Sequence, residues 1–160
     1  MPYSDVLLRP KRSTLTSRKE VVLERTLKFY HSKKTWTGIP IMTANMATCG
    51  TFEMARVLSP YKIITTFHKY YQVSEFAEFF KDFNQPDYVA YTLGTRPEDF
   101  EKLAAMNQAG LMSNFSFLCL DIPNGYLEHF LDKIRELRRF YPEHIIIEPI
   151  SKPQRGSKVK

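Results

Sequence analysis

The stretch YVAYTLGTRPEDFEKLAAMNQAGLMSNFSFLCLD, Tyr88 to Asp121, holds two short runs of apolar, aromatic and threonine side chains separated by a segment of different period. Tyr88–Gly94 and Phe115–Asp121 are nearly continuous in apolar character and bounded by turn formers, the mark of strands buried on both faces. Between them, Pro97 suits an early helical position behind Thr95, Phe100, Leu103, Ala104 and Met106 recur at helical spacing, and Gly110 closes the run. Buried strand, helix and buried strand in succession predict a β-α-β unit, in which the two strands run parallel and the crossover is right-handed.

The same alternation extends in both directions. Upstream, Gly38–Ala44 and Lys62–Phe67 read as buried strands, and downstream His144–Ile147 reads as a fifth. Thr51 is placed to cap a helix carrying Met54, Ala55, Val57 and Leu58. Ser74 is placed to cap Glu75–Phe83, whose Phe76, Phe79, Phe80 and Phe83 form one stripe. A last helix carries Tyr126, Phe130, Ile134 and Leu137, with Lys133, Arg135, Arg138 and Arg139 on much of its remaining surface. The order β-α-β-α-β-α-β-α-β predicts an α/β fold with a parallel sheet, either doubly wound or a barrel segment. No Gly-x-Gly-x-x-Gly follows a strand and no Gly-Lys-Ser/Thr loop is present, so a barrel segment is favoured. A complete eight-fold barrel takes about 250 residues, and this chain has 160. The expectation is an incomplete (β/α)8 TIM barrel of about four β/α units plus a terminal strand.

Composition narrows the function. The chain is 43% hydrophobic and 25% charged, as in one soluble globular domain, with a formal net charge of +6. The charge sits at the ends: residues 1–34 carry nine Lys/Arg against three Asp/Glu, residues 151–160 carry four Lys/Arg and no acid, and the middle is mildly acidic. Basic ends without interleaved aromatics argue against nucleic acid as a partner. No apolar run approaches the roughly 18 residues of a membrane span, and the start has no secretory apolar core, so no membrane partner and a cytosolic location are expected. Cys49 and Cys119 lie seventy positions apart, which gives neither a disulfide framework nor metal-ligand spacing. The predicted divisions are an N-terminal segment 1–34, a partial barrel domain 35–147, and a basic tail 148–160 expected to be disordered.

In barrels, functional groups collect where strands end at their carboxyl edge. The residues there are Asn45-Met46-Ala47-Thr48, His68-Lys69-Tyr70-Tyr71, Gly94-Thr95-Arg96 and Asp121-Ile122-Pro123-Asn124-Gly125. Lys69 can neutralise a phosphate and Asp121 can accept from ribose hydroxyls, which together suit a nucleotide. The two could equally form an ion pair across the sheet, or Asp121 could cap a helix. His68 is a candidate general base or a packed histidine, and Cys49 and Cys119 read as packing residues rather than activated thiols.

The run Asp5–Leu15 followed by Ser17-Arg18, then Gly38-Ile39-Pro40-Ile41 with Ala44-Asn45-Met46, Gly50–Ala55, His68-Lys69, Leu120-Asp121, Asn124-Gly125-Tyr126 and Glu128-His129-Phe130 resembles the GMP reductase family over about residues 3–147. The resemblance implies a (β/α)8 barrel that assembles as a tetramer. It implies NADPH-dependent reductive deamination of GMP to IMP and ammonia, a step of purine salvage and of the balance between guanine and adenine nucleotides. By the same resemblance Ser17 and Arg18 touch the NADPH, Lys69 lies at the cofactor, Asp121, Ile122 and Pro123 line its nicotinamide side, and Met46 lies near the purine. Ala47 stands where the family has an aspartate, Tyr70 where it has a histidine, and Pro123 where it has a small residue.

After residues 144–147 the family continues into an Ala-Gly-Asn turn, a Gly-rich loop with the cysteine nucleophile, a threonine proton donor and a monovalent-cation (K+) site, and two glycine-rich phosphate-binding turns. This chain instead reads Glu148 to Lys160, a polar basic tail, and neither cysteine matches the nucleophile's motif. The expectation is a truncated N-terminal portion with no catalytic residue and no K+ site, inactive alone. The alternative is a non-catalytic half-barrel that associates with or modulates a full-length subunit.

Overall fold

The computed structural model describes residue 7, residues 9–122 and residues 128–148. After a 3-10 turn at Arg18–Glu20 come β1 (Arg25–Lys28) and β2 (Thr35–Gly38), an antiparallel hairpin in which the hydroxyls of Thr26 and Thr37 meet at 2.9 Å. In β2 only Trp36 and Gly38 are buried, the alternation of a strand with one wet face. Helices and strands then alternate: α1 (Phe52–Leu58), β3 (Thr65–Thr66), α2 (Val73–Phe79), β4 (Val89–Leu93), α3 (Pro97–Gln108), β5 (Phe117–Leu120), α4 (Glu128–Phe140) and β6 (Ile145–Ile147). Strands β3 to β6 form one sheet in chain order with every neighbour parallel, so the predicted alternation and incomplete barrel are what the chain adopts.

The predicted strand Gly38–Ala44 is divided. Gly38 ends β2, and Pro40 lacks an amide donor, so the continuation touches the sheet as a single bridge, Met42 beside Ile64. Backbone bonds from Thr43 to Ile64 (3.0 Å) and from Ile64 to Ile41 (3.1 Å) keep it in the position of a first barrel strand. The predicted strand Lys62–Phe67 contracts to two residues, because Lys62 takes a left-handed conformation (φ 58°) to close the 3-10 turn Ser59–Tyr61. α2 begins one residue before Ser74, with Gln72 at its cap and the Glu75 carboxylate accepting the Gln72 amide at 2.7 Å.

The sheet is curled. Asn45, just beyond the first strand position, donates from Nδ2 to Asp121 Oδ2 beyond β5 at 2.8 Å, with β3 and β4 lying between them. In a flat sheet those strands would stand three spacings, roughly 14 Å, apart. Only an arc like that of a barrel wall brings the two side chains together.

The arc has two dissimilar faces. The outer face packs Phe67, Val89, Tyr91, Leu93, Leu118 and Leu120 against the helices in one aromatic-rich core. Phe67 is fully buried, with Phe52, Phe76, Phe79 and Phe115 ringing it at centroid distances of 5.2 to 6.2 Å. The inner face is apolar at its amino end, where Ile64, Ala90, Phe117 and Ile145 are closed off by Trp36 and Phe29 of the hairpin. Trp36 Nε1 donates to the Asp87 carbonyl at 2.7 Å, which fixes the hairpin across that end. Toward the carboxyl end the inner face turns polar, with Thr92 registered beside Cys119 and the hydroxyls of Thr66 and Thr92 buried without a partner among the described residues.

Candidate functional site at the carboxyl edge of the sheet

The carboxyl edge gathers Asn45, the loop His68–Gln72, Gly94–Arg96 and Asp121. Asp121 is exposed, its amide donates to Leu93 O at 2.9 Å, and its carboxylate is held by Asn45. One carboxylate oxygen is therefore engaged, and the other makes no hydrogen bond among the described residues. Lys69 is also exposed and forms no ion pair among the described residues, so the alternative reading of a Lys69–Asp121 pair across the sheet is not what the structure shows. Asp121 is held by an amide instead, and the Lys69 ammonium is left to solvent or an anion.

The loop that carries Lys69 is tied on several sides. The His68 amide donates to Gly50 O at 3.0 Å, and a side chain at Gly50 would overlap the Thr66 carbonyl, so the close approach of the two strand ends requires glycine there. His68 Nδ1 accepts the Tyr70 amide at 3.2 Å, and its ring stacks on Tyr71 with centroids 4.0 Å apart. Burial pushes the His68 pKa below its ordinary value, and the nearby Lys102 charge acts in the same direction. A neutral ring with Nδ1 as acceptor is a loop fastener, which favours the packed reading of this histidine. Tyr71 stacks on Phe52 at 3.7 Å and its hydroxyl accepts the Phe52 amide at 3.2 Å. From the other side, Lys102 Nζ of α3 donates to the Lys69 carbonyl at 2.7 Å.

The third loop is built similarly. Asp99 accepts the Arg96 amide at 3.2 Å, and a side chain at Gly94 would collide with that carboxylate. Neither thiol has the surroundings of a nucleophile. Burial, with Asp121 close by, pushes Cys119 up to about 11, which leaves it protonated at neutral pH. Cys49 lies beside the Thr48 hydroxyl at 3.6 Å, with no cation bonded to it among the described residues.

Ser17 caps the 3-10 turn at Arg18–Glu20 and accepts the Lys19 amide at 3.3 Å, while Arg18 is exposed. No hydrogen bond or ion pair among the described residues links either to Lys69 or Asp121. Ile122 is buried in the outer core rather than facing the edge, Met46 is exposed, and Pro123 lies outside the described residues, as do Asn124-Gly125-Tyr126 and the tail beyond residue 148. Sequence reasoning named Asn45 but not its bond to Asp121, and it missed Lys102 altogether. A lysine on a helix surface pattern carries no signal that its ammonium turns back onto a neighbouring loop.

The profile of the IMP dehydrogenase / GMP reductase domain matches residues 1–151. The chain is 45% identical over 150 residues to GMP reductase 2 of Bos taurus, covering 92% of this chain and 42% of that protein. It is 45% identical to GMP reductase 1 of Homo sapiens, with the same coverage, and 43% identical over 148 residues to GMP reductase of Yersinia pestis (strain Pestoides F), covering 90% of this chain and 42% of the relative. The chain thus spans less than half the length of these relatives. Among solved structures, inosine 5′-monophosphate dehydrogenase from Legionella pneumophila superposes with a TM-score of 0.70 at 23% identity, over 92% of this chain and 43% of that one. A curled parallel sheet with polar groups gathered at its carboxyl edge, the matching domain profile and the shared sequence lead to one conclusion: the chain belongs to the IMP dehydrogenase / GMP reductase family.

Proposed function

We propose that this chain forms the NADPH-facing part of a GMP reductase-type site, serving the reductive deamination of GMP to IMP and ammonia. The observation that carries the reading is the pairing at the carboxyl edge of an exposed Asp121 carboxylate, held by Asn45, with an exposed Lys69 on a fastened loop that forms no ion pair among the described residues. The donor set fits the cofactor. Asp121 offers an acceptor to ribose hydroxyls, Lys69 and the exposed Arg18 offer cations to phosphates, and Ser17 offers a hydroxyl on the same segment as Arg18. Pro123 is assigned to the nicotinamide side with Asp121, while Ile122 between them packs into the outer core and anchors the segment from behind. When bound, NADPH supplies the hydride.

The chain's own part is to hold and orient. Asn45 keeps one Asp121 oxygen from turning, and the bonds around His68 and Lys102 keep Lys69 at a fixed place on the rim, so little ordering is left for binding to impose. The thiol that would attack GMP is not supplied by Cys119, which burial holds protonated, nor by Cys49, whose sequence surroundings do not match the nucleophile's motif, so the 160-residue chain alone performs no turnover. Titration of the chain with NADPH, followed by nicotinamide fluorescence, tests the reading. Saturable binding that weakens about tenfold in Lys69→Ala and in Asp121→Ala, the loss of one charged contact each, is the expected result. Binding indifferent to both substitutions overturns it.

A second reading is favoured by one observation. Leu27, Ile41 and Met42 are exposed beside a cavity of about 210 Å³ lined by Trp36, Phe117 and Ile147. Such an apolar inner face suits a half-barrel that associates with a second copy or a full-length GMP reductase subunit. Co-purification with intact enzyme supports this role, and elution as a separate monomer removes it.

A further inference from the structure

We propose that Lys102 is a positioning residue, whose ammonium on α3 fixes the backbone of the loop after β3 and so sets where the Lys69 side chain is presented. What that presentation is for rests on the NADPH reading above. The placing of the loop does not.

Three observations lead to this. Lys102 is partly buried and makes no ion pair within 4.0 Å among the described residues, yet its Nζ lies 2.7 Å from the Lys69 carbonyl. An ammonium drawn out of water without a bonded carboxylate needs a strong acceptor, and a backbone carbonyl at that distance is one. Secondly, the other hydrogen bonds of the loop run to the preceding unit or stay local. His68 donates to Gly50, the Tyr71 hydroxyl accepts from Phe52, Tyr70 donates to His68 Nδ1, Gln72 Nε2 donates to Tyr70 O at 3.1 Å, and the Gln72 amide donates to Glu75. Among the described residues, the bond from Lys102 is the one that ties residues 68–72 to the next β/α unit. Thirdly, the ammonium sits where it is costly to hold without a bonded partner. Burial pulls its pKa below the usual lysine value and Lys69 acts the same way, offset only in part by the charges of Asp99 and Glu75.

The position of Lys69 relative to β4 and β5 is therefore set by α3 as well as by the loop's own bonds.

The test is amide hydrogen exchange on the full 160-residue chain, comparing the parent with Lys102→Met, Lys102→Gln and Lys102→Arg, together with an NADPH titration of each. In Lys102→Met the amides of Tyr70 and Gln72 are expected to exchange about tenfold faster, the effect of losing one charge-assisted bond, while amides of β4 and β5 keep their protection. Lys102→Gln should fall between, and Lys102→Arg should restore both the loop protection and the NADPH affinity, which drops about tenfold in Lys102→Met. Unchanged exchange at Tyr70 and Gln72, or a rise shared equally with β4 and β5, overturns the proposal. If no variant and not even the parent binds NADPH while loop exchange still rises in Lys102→Met, the positioning role stands and the cofactor reading falls.

Discussion

At the scale of single residues, Arg138 shows how one side chain can define a connection. From α4 its Nη1 donates to the carbonyls of Tyr141, Pro142 and His144 at 3.4, 3.0 and 2.7 Å, gathering the turn that leads into β6. Arg138→Met keeps much of the aliphatic stem and strands those carbonyls, so we expect unfolding free energy to fall by about 2 kcal/mol, read as a lower denaturant midpoint with an unchanged slope. His144, beside it, has its ring nitrogen 3.1 Å from Met112 O, and burial, with the Lys34 and Arg138 charges, lowers its pKa below 6.5 against the opposing Glu143. The unfolded chain then binds more protons than the folded one between the two values. This contribution to stability is complete above pH 6.5 and is lost as pH falls toward the folded value. His144→Gln, which can still donate to Met112, should flatten the part of the stability profile below pH 6.5, and a slope identical to the parent's would show that another group is responsible. Gly50 belongs at this scale as well: Gly50→Ala drives a methyl into the Thr66 carbonyl and should cost about 2 kcal/mol in the same measurement.

Legibility varied from element to element for identifiable reasons. β4, α3 and β5 were readable because each is long enough, uniformly patterned and punctuated, with Pro97 opening α3 and Gly110 at φ 70° beyond its end. Thr51 was readable as a cap because its hydroxyl does accept the Met54 amide, at 3.2 Å, and Thr51→Ala should lower stability by about 1 kcal/mol in denaturant titration. The hairpin of β1 and β2 escaped notice because every residue of β1 is exposed and half of β2 is, so no apolar period marks it. The onset of α2 was misplaced because Glu75 caps Gln72 through its side chain, a reach that a preference for serine at caps does not reveal. At the candidate site the residue types were legible, since Lys69 and Asp121 stand directly after apolar runs. Their partners were not. Asn45 meets Asp121 only because the sheet curls, and Lys102 meets Lys69 only because α3 crosses back over the loop, and both are consequences of tertiary packing.

For the molecule as a whole, an arc of parallel strands has one well-filled face and one whose apolar amino end is only partly covered, by Trp36 and Phe29. The outer core is dense in aromatic rings, and removing one that is fully enclosed, Phe67→Ala, leaves a cavity worth roughly 3–5 kcal/mol, a large fraction of what a domain of this size has to lose. The inner face instead leads from a tryptophan plug to buried hydroxyls and then to the Asn45, Asp121 and Lys69 rim, a gradient that keeps water-seeking groups at the end where a nucleotide would enter. The central proposal is that this polypeptide offers a surface for the cofactor but no thiol able to attack the purine. Purified chain mixed with saturating NADPH and GMP tests it most directly, with IMP and oxidised cofactor measured together. The account predicts bound NADPH and no IMP above the enzyme-free control; IMP released in step with NADPH oxidation would contradict it.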